Sequence, residues 1–172
     1  MFPNNSLLLA MKPTGWIIIL ASFAFLGLLI YIAVKRNNKL IEEGKIIRRD
    51  FHFMEKAEEF TLKPVEPARV SEAVKAFDYG DIPASMKGST EDQIYTFTGS
   101  SWGARLKRKE AAEDKVVYRF EFTNWKSSDG SARDEVPMNK LLTDVEKMFL
   151  AFDPETKVAT VPLEFTTKHK FL

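Results

Sequence analysis

The sequence predicts an α+β protein in which one N-terminal transmembrane helix precedes a two-layer domain, an antiparallel sheet of about five strands packed on two helices. Three observations lead there. Residues 16–34 contain no charge, Asn, Gln or Pro and stop at Lys35-Arg36. Residues 115–125 alternate, with Val116, Tyr118, Phe120 and Phe122 on one side and Val117, Arg119, Glu121 and Thr123 on the other. That is the pattern of a strand with one buried and one wet face. Residues 137–152 carry a continuous apolar stripe of Met138, Leu141, Leu142, Val145, Met148, Phe149 and Phe152, as an amphipathic helix does.

Taken in order, residues 1–14 form a short extracytoplasmic lead, with turn-like Pro3 to Ser6 and a brief apolar patch at 7–11 that suits the membrane interface. Residues 15–35 form the transmembrane helix, since about 20 apolar residues at 1.5 Å each cross a bilayer's hydrocarbon core. Trp16 and Tyr31 stand near its ends, where amphipathic rings favour the headgroup layer. A cleaved signal peptide fits poorly, because the run is too long and Lys35-Arg36 stands where a cleavage site belongs. Lys35, Arg36, Lys39, Arg48 and Arg49 follow the span while only Lys12 precedes it, so the positive-inside rule puts the N-terminus outside and the domain in the cytoplasm of a single-pass membrane protein. The same bases are candidates for contact with anionic lipid. The span has no ionisable residue and no strict small-xxx-small face, so it is expected to anchor passively.

Residues 36–59 read as a charged juxtamembrane connector, with its helix stopping at Gly44 and a short strand at 51–53. Residues 60–172 read as the soluble domain. Within it a short strand at 60–62 closes at Pro64, and a helix at 67–77 begins on Pro67 with Val70, Ala73, Val74 and Phe77 on one face. A Pro-, Ser-, Gly- and Thr-rich stretch at 81–92 reads as loop. Strands follow at 93–98, 102–109 and 115–125, then a polar loop at 126–135 and the helix at 137–152. Asp153-Pro154-Glu155-Thr156 fits a type I turn, and 157–168 is extended, with Pro162 marking a bulge or a sheet edge. Phe171 and Leu172 are expected to tuck against the domain.

Composition narrows the functions. Formal net charge is +1, which gives no electrostatic pull toward nucleic acid. There is no cysteine, so disulfides, thiolate metal sites and a cysteine nucleophile are excluded. His52 and His169 sit far apart without metal-ligand spacing. Asp78-Tyr79-Gly80-Asp81 places two carboxylates around a turn, which helix-stop chemistry explains without an ion. No catalytic residue, metal site or cofactor is expected.

One stretch carries a candidate site. Gly99 and Gly103 let backbone N–H groups approach an anion, Ser100 and Ser101 add hydroxyls, and Trp102 offers an aromatic platform. Arg105, Lys107, Arg108 and Lys109 add positive charge. It is no Walker loop, because Ala104 stands at the lysine position and a strand follows. The plainer reading is a hairpin turn leading into a basic, aggregation-resistant edge strand. The leading functional expectation is a membrane-anchored interaction or accessory module that meets a protein partner at the membrane. An anion, phosphate or lipid-headgroup sensor using Gly99–Lys109 is the alternative, and an extracytoplasmic domain of inverted topology a further one.

Overall fold

A computed structural model describes residues 13–128, 131–164 and 168–171 of the chain. The expectations for residues 1–12 and for the Phe171 and Leu172 side chains lie outside the described residues. The chain divides into two compact units, Met1–Gly44 and Lys45–Leu172.

The first unit holds helix α1, Pro13–Glu42, which continues well past the bases Lys35 and Arg36. By length and composition Gly15–Glu42 is sufficient to cross a membrane, and its apolar side chains are exposed. The Ser22 hydroxyl donates to Ile18 O at 2.8 Å, so this polar group is satisfied inside the helix. α1 ends where the sequence places its stop: Gly44 takes the left-handed φ of 67° and its N–H closes on Ile41 O at 2.9 Å.

The second unit is α+β. Its elements in order are β1 (Lys56–Leu62), α2 (Pro67–Lys75), β2 (Ala84–Ser89), β3 (Ile94–Gly99), β4 (Trp102–Ala111), β5 (Val116–Ser128), β6 (Ser131–Ala132), α3 (Glu135–Phe152), β7 (Lys157–Pro162) and β8 (Lys168–Phe171). The expected antiparallel sheet forms as a path of six strands, β2-β3-β4-β5-β1-β7, antiparallel throughout, and the short β6 and β8 bring the sheet to eight. β6 pairs antiparallel with the far end of β5, and β8 pairs parallel with β5 at Asn124–Ser127.

Several sequence expectations need correction. Residues 45–59 are not connector: Ile46, Phe53, Met54 and Ala57 are buried in the second unit, and β1 starts at Lys56 rather than 60. Residues 51–53 form no strand, and a 3-10 turn at Phe53–Glu55 stands there, with Phe53 edge-on to Phe122 at 5.7 Å. The expected loop at 81–92 contains the edge strand β2. Its Ala-Ser-Met-Lys-Gly-Ser sequence lacks β-branched residues, and Gly88 is needed because a Cβ there would meet Tyr95 Cδ1 at 2.5 Å and Ile94 O at 2.7 Å.

The core lies between the sheet and the helices α2 and α3. Tyr118, Phe120 and Phe122 of β5 share one buried cluster with Val70 and Val74 of α2 and with Met138, Leu141, Leu142, Val145 and Phe149 of α3. Phe149 is its centre, stacked on Phe60 at 5.0 Å and tilted on Tyr118 at 4.9 Å. The predicted α3 stripe therefore meets the predicted inner face of β5. The Asp153 turn also forms as expected, with Thr156 N bonded to Asp153 O at 3.0 Å.

Candidate functional site

The β3–β4 hairpin brings the predicted site residues together, but it uses most of them for its own structure. Trp102 is buried rather than a surface platform: it is 2% exposed and sits edge-on to Phe122 at 6.2 Å. Gly99 is where the indole passes, since a Cβ there would lie 2.3 Å from Trp102 Nε1. The Ser100 and Ser101 hydroxyls donate to one oxygen of Asp134, at 2.7 and 2.5 Å. Partial burial acts to raise the Asp134 carboxyl, but the two serine hydrogen bonds and nearby Arg133 outweigh it and hold the group below its ordinary value of 3.8. A fixed negative charge thus occupies the place where the sequence suggested anion donors.

The bases of β4 point into an ion network on the sheet face away from the helices. Arg105 meets Glu121 at 2.6 Å, Lys109 meets Glu59 at 2.7 Å, and Lys107 meets Glu164. Arg119, 3% exposed, bonds Glu59 at 2.9 Å and Glu121 at 3.2 Å and donates to Pro162 O. Val117, Arg119 and Glu121 of the expected wet face are therefore buried. The physical reason is pairing: opposite charges cancel across neighbouring strands while the chain at Pro162–Glu164 lies over them, with Glu164 N directed at Glu121. Lys109 first, and Arg119 with it, hold the Glu59 carboxyl below its ordinary value against the opposing effect of burial. Arg108 lies apart, its backbone N bonded to Gln93 O at 3.0 Å.

Five of the predicted residues, Gly99 to Gly103, line one open groove of about 410 Å³. Its shape comes from a bulge. Gly103 pairs with Asn124 but Ala104 pairs with Phe122, so Thr123 is an extra residue in β5. Phe122 and Trp125 are both buried while Thr123 and Asn124 between them are not, so the bulge turns two adjacent side chains to the outer face. Both lie against Gly103, where a Cβ would meet Asn124 Nδ2 at 2.6 Å and Thr123 Oγ1 at 3.0 Å. Exposed Thr96 and Thr98 of β3 form the opposite wall. An alternating β5 pattern read to its end hides this bulge.

The bases assigned to lipid divide. Lys35, Arg36 and Lys39 are exposed on α1, and Arg48 is exposed in the second unit. Arg49 is not available: it bonds Glu58 at 2.6 Å, Glu146 at 2.5 Å and Asn139 Oδ1 at 3.2 Å. Around it Ile47 N donates to Thr143 Oγ1 and Asn139 Nδ2 donates to Ile47 O, fastening residues 47–49 to α3.

The remaining candidates have structural partners. His52 is exposed, 3.4 Å from Glu55. The His169 side chain lies outside the described residues. Asp78 Oδ1 accepts from Gly80 N and Asp81 N, and Asp81 holds Lys140 at 2.6 Å, which lowers the Asp81 carboxyl. No group of three or more metal-ligating side chains occurs among the described residues.

Sequence reading missed Gln93, a fully buried residue at φ 53°. Its Nε2 lies within 2.7 to 3.1 Å of Thr90 O, Tyr95 Oη and Pro67 O, and its Oε1 accepts from Tyr118 Oη at 2.7 Å. Burial pushes the Tyr118 phenol up to about 12. A glutamine at the head of an expected strand gives no sign of this role.

The chain matches no known protein family and no curated protein.

Proposed function

We propose that this protein is a single-pass membrane-anchored module whose soluble unit binds a partner protein through the open edge of its sheet. The N-terminus lies outside and the soluble unit is cytoplasmic. α1 supports the anchor by its length and charge-free run, and Lys35, Arg36 and Lys39 support the orientation.

The observation that carries the binding role is β7. It is the last strand of the sheet path and is paired only with β1 among the described strands. Val158, Ala159 and Thr160 are exposed, and Val158 keeps 41% of its surface. Between Lys157 and Pro162 the edge has no charge to repel another strand. Lys157 and Pro162 guard only its two ends, and the uncharged stretch between them suits addition of a partner's extended segment. The phosphate or headgroup alternative draws less support, because Arg105, Lys107 and Lys109 hold carboxylates and the hairpin serines hold Asp134.

Affinity purification of the full chain from gently solubilised membranes tests the reading. A stoichiometric protein recovered with the wild type and lost with Val158→Lys plus Thr160→Lys supports it. Recovery of the same protein with both variants sinks the edge, and failure to recover any stoichiometric protein sinks the module. A reporter fused to the C-terminus checks orientation, and an extracytoplasmic signal would establish the inverted topology.

A further inference from the structure

The polar side chains that face the groove over Gly103 are mainly uncharged, with Lys126 at its margin. Thr96 and Thr98 on one wall and Thr123 and Asn124 on the other present hydroxyls and a carboxamide, above the indole-bearing pair Trp102 and Trp125 that stand opposite each other on β4 and β5. Hydroxyls and carboxamides both donate and accept hydrogen bonds. The groove's size, about 410 Å³, lies within the range of small-molecule sites.

Charge argues against an anion there. Lys126 is the one cation on the groove's lining, while the Asp134 carboxylate is bonded to Ser100 and Ser101 at its end. The hydroxyl hydrogens of those two serines are directed at Asp134, so they are not offered to a bound phosphate. An apolar ligand would cut the exposed Thr96 and Thr98 hydroxyls off from water, and the Asn124 carboxamide would keep only its Nδ2 bond to Thr123 Oγ1 at 3.3 Å, at a cost for each group.

We propose that this groove binds a neutral polyhydroxylated ligand, a saccharide ring, with Thr98, Thr123 and Asn124 as its hydrogen-bonding residues. Sugar hydroxyls match groups that donate and accept in turn. The β5 bulge is what makes the site: without the extra residue, Thr123 and Asn124 would point to opposite faces. The proposal is independent of the partner-binding edge, because β7 and the groove share no residue.

The test uses the full chain in nanodiscs of zwitterionic lipid, prepared without sugar-based detergent. Saturation-transfer NMR and tryptophan fluorescence follow titration with a panel of neutral mono- and disaccharides and, separately, with inorganic phosphate. Saturable binding of a saccharide, insensitive to salt and weakened about tenfold in Thr98→Val plus Thr123→Val, supports the proposal. Both substitutions exchange a hydroxyl for a methyl at positions that are not fully buried, and an unchanged thermal melt confirms that the fold survives. Asn124→Ala gives a second loss, coupled to that of Thr123 through their 3.3 Å hydrogen bond. Absence of saccharide binding, saccharide binding unmoved by any of these variants, or salt-sensitive phosphate binding in place of saccharide would each overturn it.

Discussion

Arg49 holds two carboxylates, Glu58 and Glu146, with only 10% of its side chain exposed. Removing it leaves two partly buried acids facing one another, so Arg49→Ala is expected to cost about 3 kcal/mol in urea unfolding. Arg49→Lys should recover part of that, since a point charge cannot reach both acids as the guanidinium fork does. Glu58 adds a pH signature. Burial raises its carboxyl, Arg49 pulls it down less strongly, and Glu146 pushes it up, leaving it above 4.5. The folded state then holds this proton more tightly than the unfolded chain. That contribution is full below 4.5 and is lost as pH rises through the folded value. Glu58→Gln should therefore reduce the fall in stability on going from the carboxyl range toward neutrality; Asp144 and Glu135, also raised by burial, keep the remainder. Asp134 has the opposite sign. Its lowered carboxyl adds stability above the ordinary value of 3.8 that is lost as pH falls through the folded value. Ser100→Ala plus Ser101→Ala should move the Asp134 titration upward, as read by carboxyl NMR.

The elements differ in how they are held. α3 depends on its stripe, and Phe149→Ala should cost about 3–5 kcal/mol because the ring fills the space between Phe60 and Tyr118. β2 depends on one close approach. Gly88→Val would drive a side chain into Tyr95 and the Ile94 carbonyl, so hydrogen exchange at residues 84–89 should accelerate while the amides of β5 stay protected. These two elements also show why legibility varied along the chain. α3 and β5 were readable because apolar residues recur at their own periods, 3.6 and 2, wherever one face is buried. β2 has no such recurrence, and its order comes from pairing with β3 and from the glycine that lets Tyr95 in. The same limit hid the β5 bulge, because an inserted residue breaks the period without leaving a mark of its own composition.

For the whole molecule, the sequence by itself determined that an apolar helix of membrane-crossing length precedes an α+β unit, and it identified the faces of α3 and β5 that form the core. Those properties follow from local composition and periodicity, which each segment carries alone. Tertiary structure decided what the polar residues do. Arg49, read as a membrane-surface base, became the clasp between β1 and α3, and Arg105 and Lys107, read as ligand donors, became partners of Glu121 and Glu164. It also joined Thr96 and Thr98 to Thr123 and Asn124 across β4, forming a groove that no contiguous stretch encodes. The physical reason is range. A hydrophobic stripe is set by near neighbours in the chain, whereas the use of a charge or a hydroxyl depends on which distant strand is placed beside it.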